Sequence, residues 1–279
     1  MASKVWFITG SSKGFGRVWA QAALERGDRV AATARDPATL DALKKKYGDR
    51  IAALRLDVTN KRDVGAAIDE AHQRFGRLDV VINNAGYGQF GAVEEVSEAE
   101  ARDQIETNFF GALWVTRAAL PIMRRQGAGH IIQISSIGGI TAFANIGLYH
   151  ASKWALEGLS QSLSIEVADM GIHVTLVEPA GFSTDWNGPS ARHAKPIEAY
   201  ESARVQMASR RGLTVQGLPE ATGPAMLALV DAQKPPLRVF LGDRGLPLIR
   251  QEYARRLSEW EAWDHLADMS QGPVKNRKA

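Results

Sequence analysis

The sequence predicts an α/β fold: a doubly wound parallel sheet of about seven strands with helices on both faces. Two observations carry that prediction. Short β-branched runs alternate with longer amphipathic segments along almost the whole chain. The runs are apolar on both faces, as strands covered by helices on two sides must be. The 279 residues contain no repeat, low-complexity tract or Pro/Gly-rich linker, so residues 1–279 are read as one domain.

Taken in order, the first strand is expected at Val5–Thr9 and the first helix at Gly14–Arg26, across a glycine-rich turn. Arg29–Ala34 follows as a strand and Pro37–Tyr47 as a helix, with Asp36 placed to cap it and Pro37 in its first turn. Ile51–Leu56, Lys61–Phe75 and Val80–Asn83 continue the alternation, and a long helix is expected over Ala99–Arg125. Ile131–Ser135, Ser152–Asp169, Val174–Val177, Glu220–Asp231 and Arg238–Leu241 complete the sheet and its cover. Two regions break the rhythm. Ser183–Leu218 shows no strand and one short helix at Ile197–Arg211, and an excursion that long after a strand reads as a substrate lid, residues 183–218. Leu246–Met269 reads as a terminal helix carrying Trp260 and Trp263, and 271–279 as a polar, basic, frayed tail.

Composition excludes several classes. With 45% hydrophobic and 23% charged residues the chain is an ordinary globular protein. There is no Cys, which removes disulfides and thiolate chemistry and fits a cytoplasmic address. No metal is expected, because His72, His130, His150, His173, His193 and His265 lack ligand spacing. The net charge of +3 comes without a long basic run, so no nucleic-acid partner is expected. The longest uncharged run, Gln126–Ser152, holds Gln133, Ser135, Asn145 and several glycines, and no membrane span is expected. Glu94, Glu95, Glu98 and Glu100 are read as acids favouring a helix start, and Lys44–Lys46 as a solvated face.

The turn Gly10-Ser-Ser12-Lys13-Gly14-Phe15-Gly16 is suited to a dinucleotide. Its glycines let backbone approach a diphosphate at a helix N-terminus, where free N–H groups favour anions. After the second strand an acid would suit the ribose 2′-hydroxyl and a cation the 2′-phosphate. Here Arg35 follows Ala34 and Lys13 lies in the glycine turn, while Asp36 is assigned to capping. NADP(H) is therefore the expected cofactor, with NAD(H) the alternative.

Tyr149 and Lys153 are spaced to share one face of a helix, where an ammonium is expected to lower the phenol's pKa and make it a usable acid or base. Such pairs are common, but here Thr9-Gly10-x-x-x-Gly14-x-Gly16, Asn83-Asn84-Ala85-Gly86, Asn108, Ser136 and Tyr149-x-x-x-Lys153 follow one another in order. Together they resemble the short-chain dehydrogenase/reductase family, in its single-domain branch, over nearly the whole chain. The resemblance implies a Rossmann-type fold and roles for named residues. Tyr149 would exchange a proton with the substrate oxygen, and Ser136 would orient that oxygen. Lys153 would tune Tyr149 and bind the nicotinamide ribose, and Asn108 would hold a relay water. Asn83, Ala85, Gly86, Asp57 and Val58 would line the adenosine side. Pro179, Gly181 and Thr184 would lie near the nicotinamide, although Pro179-Ala-Gly181 has one residue more than the family's Pro-Gly. For Asn84, bonding to backbone within its turn is an equal reading. His150 adjoins Tyr149, but helix neighbours diverge by roughly 100°, leaving it at most a secondary role.

The expected function is NADP(H)-dependent hydride transfer between the nicotinamide and a small-molecule carbonyl or secondary alcohol. Phe90, Ile137, Phe143, Leu148, Phe182 and Trp186 suggest an apolar substrate. The alternative is a non-catalytic dinucleotide sensor or scaffold, which intact Asn108, Ser136, Tyr149 and Lys153 disfavour. A homodimer or homotetramer is expected through the long helices, with Leu113, Trp114, Trp154 and Leu159 as candidate contacts.

Overall fold

Val5, Trp6, Phe7 and Ile8 are all fully buried, which only a strand covered on both faces permits. This strand, β1 (Val5–Ile8), lies inside a seven-stranded sheet of order β3-β2-β1-β4-β6-β7-β9. The computed structural model describes residues 3–184, 186, 188, 190–212 and 215–272. The other sheet strands are β2 (Arg29–Ala34), β3 (Ile51–Arg55), β4 (Val80–Asn83), β6 (Gly129–Ile134), β7 (Ile172–Pro179) and β9 (Arg238–Leu241). Every pairing is parallel, with Phe7 opposite Ala31 on one side and Val81 on the other.

The two-residue period of β1 divides the core. Val5 and Phe7 pack with Ile68, Phe75, Val115 and Met123 from α3 (Lys61–Phe75) and α5 (Gly111–Gln126). Trp6 and Ile8 pack on the opposite face with Trp19, Leu24 and Met226 from α1 (Gly14–Arg26) and α8 (Thr222–Asp231). Each such apolar side chain taken from water stabilises by about 1.5–3 kcal/mol. The buried indoles also need acceptors, which Asp28 supplies to Trp6 at 2.8 Å and Thr222 supplies to Trp19 at 2.8 Å.

The remaining helices are α2 (Asp41–Tyr47), α4 (Glu98–Ile105), α6 (Gly147–Glu166), α7 (Glu201–Gly212), α9 (Gly245–Trp263) and α10 (His265–Gln271). Four departures from the sequence expectation stand out. The helix expected over Ala99–Arg125 is α4 and α5 joined by one π turn, Glu106–Phe110. Helix α6 begins at Gly147, before the expected Ser152, so Tyr149 sits in its first turn. The segment 183–218 is not strand-free: Arg192–His193 forms β8, which pairs in parallel with β5 (Gln89–Phe90). Backbone pairing alone makes this ladder, since two residues are too short to leave an alternating pattern. The terminal helix is divided at Asp264 between α9 and α10. The tail expected at 271–279 lies outside the described residues from 273 onward, and Gln271 closes α10.

Candidate active site

Parallel strands deliver the loops after their carboxyl ends to one edge of the sheet. Here they open into a cleft of about 1420 Å³ running from the glycine turn to the first turn of α6. Its wall includes Gly10, Ser12, Lys13, Gly14 and Phe15, then Arg35, Asp57, Val58, Ala85 and Gly86, and then Ser136, Tyr149, Lys153, Pro179, Gly181 and Thr184. Three expected residues lie behind it. Asn83 turns its side chain into the core to donate to Thr116 at 3.0 Å. Gly16 serves close packing, since a Cβ there would lie 2.4 Å from the Gly10 carbonyl and 2.6 Å from Asn84 Nδ2. Asn108 is buried at the π turn, where its Oδ1 accepts the Tyr87 N–H at 3.1 Å and its Nδ2 donates to Tyr87 O and Ser152 Oγ.

The nucleotide end fits an anionic dinucleotide. Gly10 has φ +67, and a Cβ there would meet Ala85 Cα at 3.1 Å. Thr9 Oγ1 accepts the N–H groups of Asn84 and Ala85, each at 2.9 Å, which ties the two turns together. Asn84 Nδ2 adds bonds to the carbonyls of Thr9 and Gly10, so this side chain builds the turn. Helix α1 has neither a side-chain cap nor an acid in its first turn, so its leading N–H groups are left for an anion. Asp36 is occupied: its Oδ1 accepts Ala38 N at 3.1 Å and caps the 3₁₀ turn Pro37–Leu40. Asp57 likewise binds its own turn through Thr59, leaving its neighbour Val58 as apolar wall.

At the other end, Ser136 accepts the Gly138 N–H at 3.0 Å and its hydroxyl lies beside the Tyr149 phenol. Tyr149 and Lys153 are both buried, and Lys153 Nζ donates to Ile134 O at 2.7 Å. Their titration differs from the sequence expectation. Burial pushes the Tyr149 phenol up to about 12, against the opposing influence of the neighbouring Ser136 hydroxyl. Burial also lowers the Lys153 ammonium to about 8. The reason is geometric: Lys153 points to a carbonyl, 5.8 Å from the centre of the Tyr149 ring, and desolvation outweighs its field. The phenol is therefore held protonated, as a proton donor to a carbonyl must be.

Several neighbours make contacts that the sequence did not assign to them. His150 holds a loop, with Nδ1 at 2.7 Å from Gly138 O and Nε2 accepting the Phe143 N–H at 2.9 Å. That arrangement fixes a neutral tautomer, and burial lowers its pKa. Trp186 stands 4.8 Å from Tyr149, centre to centre, and 5.2 Å edge-on from Phe90, with Met207 and Ala191 beside them. Gly88 makes room for it, since a Cβ there would approach the indole to 2.7 Å. Glu95, read from sequence as a helix-start acid, instead accepts N–H groups of Ala92 and Ile197, each at 2.7 Å, and pairs with Arg204 of α7. The sequence pointed to Phe90, Trp186 and the adjacency of Tyr149 and His150, but it left no signal for the gap at Gly88 or for the tie between Glu95 and Arg204.

A sequence model described as short chain dehydrogenase matches residues 4–195. The oxidoreductase BOA17 of Botryotinia fuckeliana is 40% identical over 261 residues, covering 92% of this chain and 93% of its own. A 3-ketodihydrosphingosine reductase of Bacteroides thetaiotaomicron is 36% identical over 266 residues, with coverage of 92% and 93%. Among solved structures, a short-chain dehydrogenase from Streptomyces avermitilis superposes with a TM-score of 0.91 at 38% identity, over 96% of this chain and 98% of that one. No helix among the described residues is long and apolar enough to cross a membrane.

Proposed function

The chain belongs to the short-chain dehydrogenase family of NAD(P)-dependent oxidoreductases, and from that premise we propose that it is an NADP(H)-dependent carbonyl reductase or alcohol dehydrogenase for an apolar substrate. One observation carries this reading: Ser136, Tyr149 and Lys153 converge on the wall of a cleft whose far end is an uncapped helix N-terminus flanked by glycines. A bound dinucleotide supplies or accepts the hydride. The chain's own residues do the rest. Gly10, Ser12, Gly14, Phe15 and the first N–H groups of α1 hold the diphosphate, with Gly16 permitting their close packing. Ser136 donates to the substrate oxygen, and Tyr149 delivers its proton as the carbonyl is reduced or takes it back in oxidation. Lys153 binds ribose hydroxyls and restores the proton to the phenol. Asn108 holds that relay in place through the Tyr87 backbone and Ser152.

The NADP preference is supported by Lys13 and Arg35 on the cleft wall and by Asp36 being engaged with Ala38. Ala85, Gly86, Asp57 and Val58 take the adenosine side, and Pro179, Gly181 and Thr184 take the nicotinamide side. An apolar substrate is supported by the rings of Tyr149, Trp186 and Phe90 packed with Met207, and by the Bacteroides relative, whose substrate is a ketone. The described residues of 183–218 act as the lid over this end. The chain assembles as a homodimer or homotetramer, for which half-buried Leu113 and Trp114 and exposed Trp154 offer contact area, and works in the cytoplasm. Screening hydrophobic ketones, aldehydes and secondary alcohols with NADPH or NADP⁺, followed at the nicotinamide absorbance, tests the proposal. Turnover of apolar carbonyls with NADPH is the expected result, and NADPH binding without turnover of any of them would overturn it.

A further inference from the structure

Behind the site lies a pair of buried acids for which the reaction so far has no use. Glu157 is one helical turn beyond Lys153 on α6, and its Oε2 accepts Arg238 Nε of β9 at 3.0 Å. Gly139 leaves it room, since a Cβ there would lie 2.5 Å from Ser135 Oγ and 3.2 Å from Glu157 Oε1. Glu178, from β7, is fully buried and stands 3.6 Å from the same Arg238 Nε, which sets its carboxyl beside that of Glu157. Arg238 is further engaged by Gln161 at 2.9 Å. The groups facing the pair are thus Lys153 along its own helix, Ser135 from the turn after β6, and Arg238 from β9.

Arg238 gives its Nε hydrogen bond to Glu157, and as an anion Glu178 would leave both of its buried oxygens without a hydrogen-bond donor among the described residues. Two carboxylates in contact repel, whereas a carboxylate and a carboxylic acid bind through the proton between them. We propose that Glu157 and Glu178 are positioning residues for Lys153: they share one proton, and the single negative charge they carry keeps the Lys153 ammonium charged beneath Tyr149. The inference rests on the reading of Lys153 given above. Burial and the neighbouring Glu157 push Glu178 up to about 8, so the proton stays through neutral pH and resides mainly on Glu178. The charge on Glu157 in turn raises Lys153 against its own desolvation.

Two readouts test the pair. At pH 7 the infrared spectrum of the wild type should contain the carbonyl stretch of a protonated carboxyl group, and this band should vanish in Glu178→Gln. The alkaline limb of kcat for reduction reports loss of the Lys153 proton. In Glu178→Gln, whose amide donates to Glu157 as the shared proton did, it should move less than in the double variant. In the double variant Glu157→Gln/Glu178→Gln, which carries no charge, it should move about 1–2 pH units lower. Absence of the infrared band in the wild type overturns the shared proton, and a limb that stays in place in the double variant overturns the link to Lys153. The infrared arm needs no turnover, so its failure counts against the pair alone, whereas a wild type that turns over no substrate counts against the proposed function.

Discussion

The nucleotide half and the segment over the substrate end are held by different forces. Around β1, cohesion is apolar: Trp6, Phe7, Ile8 and Trp19 are each 0% exposed, and their polar atoms are satisfied within the core. The described residues of 183–218 instead meet the body through a small apolar patch, Trp186, Ala191 and Met207 against Phe90 and Tyr149, and through polar groups around it. Arg204 of α7 pairs with Glu95, the Tyr200 hydroxyl donates to Glu94 at 2.6 Å, and Arg192 meets Asp103 at 3.0 Å. Val205 on α7 remains 58% exposed. Such contacts are individually weak and are screened by salt, whereas a close-packed core is rigid. The difference teaches a division of labour: a fixed cradle for the part of the ligand that stays the same, and a re-formable cover for the part that is exchanged.

The largest break in this contrast should come from the rigid side. Gly16→Val places a branched side chain where even a Cβ meets the Gly10 carbonyl at 2.4 Å, and backbone cannot yield as a flexible side chain can. It should lower stability by about 3 kcal/mol and abolish measurable NADPH binding. Thermal unfolding and fluorescence titration check both, and near-wild-type binding would show that the turn is pliable.

A smaller effect is expected at the rim of the cradle. Arg35→Asp should weaken NADPH roughly 10–100-fold while changing NADH little, because it removes a cation from a phosphate that only one cofactor carries and adds a repelling carboxylate. Equal losses for both cofactors would assign Arg35 a structural role.

On the cover, Arg204→Ala should speed amide exchange in α7 severalfold while leaving β1 and β4 unchanged, and cofactor with substrate should restore much of the protection. Exchange unaltered by the substitution would mean that the cover is not held by its ion pairs.

The smallest effect tests the rigid half by acid. His130 is buried, and Thr175, whose hydroxyl proton goes to Pro236 O, accepts from its Nε2 at 2.9 Å. Burial, with His173 and Lys4 nearby, lowers its pKa from 6.5 to about 3. The unfolded chain therefore binds a proton that the fold refuses. The contribution of neutral His130 is present above pH 6.5 and is lost as pH falls toward 3, by at most about 1.4 kcal/mol per pH unit. His130→Gln should flatten the fall in stability between these values, and an identical slope in both proteins would contradict it.

What could be read from sequence followed the same division. The β1 run, the glycine turn and the Tyr149/Lys153 spacing were legible because a periodic or steric demand dictates each of them residue by residue. The π turn at Asn108 was not, since one extra residue inside a helix leaves no periodic mark. Neither β5 with β8 nor the Trp186–Tyr149 contact was legible, because each joins segments far apart in the chain. Glu157 and Glu178 read as ordinary charges until the fold buried them. The direction of the Tyr149 shift was missed for the same reason: desolvation sums over everything that packs around a group.

The role of Tyr149 as proton donor is tested most directly by comparing carbonyl reduction and NADPH titration in the wild type and in Tyr149→Phe. The ring still fills its place against Trp186, so fold and much of the NADPH affinity should persist. Turnover should fall by ~10²–10⁴ or more, the usual worth of general acid catalysis. Near-wild-type reduction by Tyr149→Phe would contradict the account and move the search for the donor to Ser136, His150 or bound water.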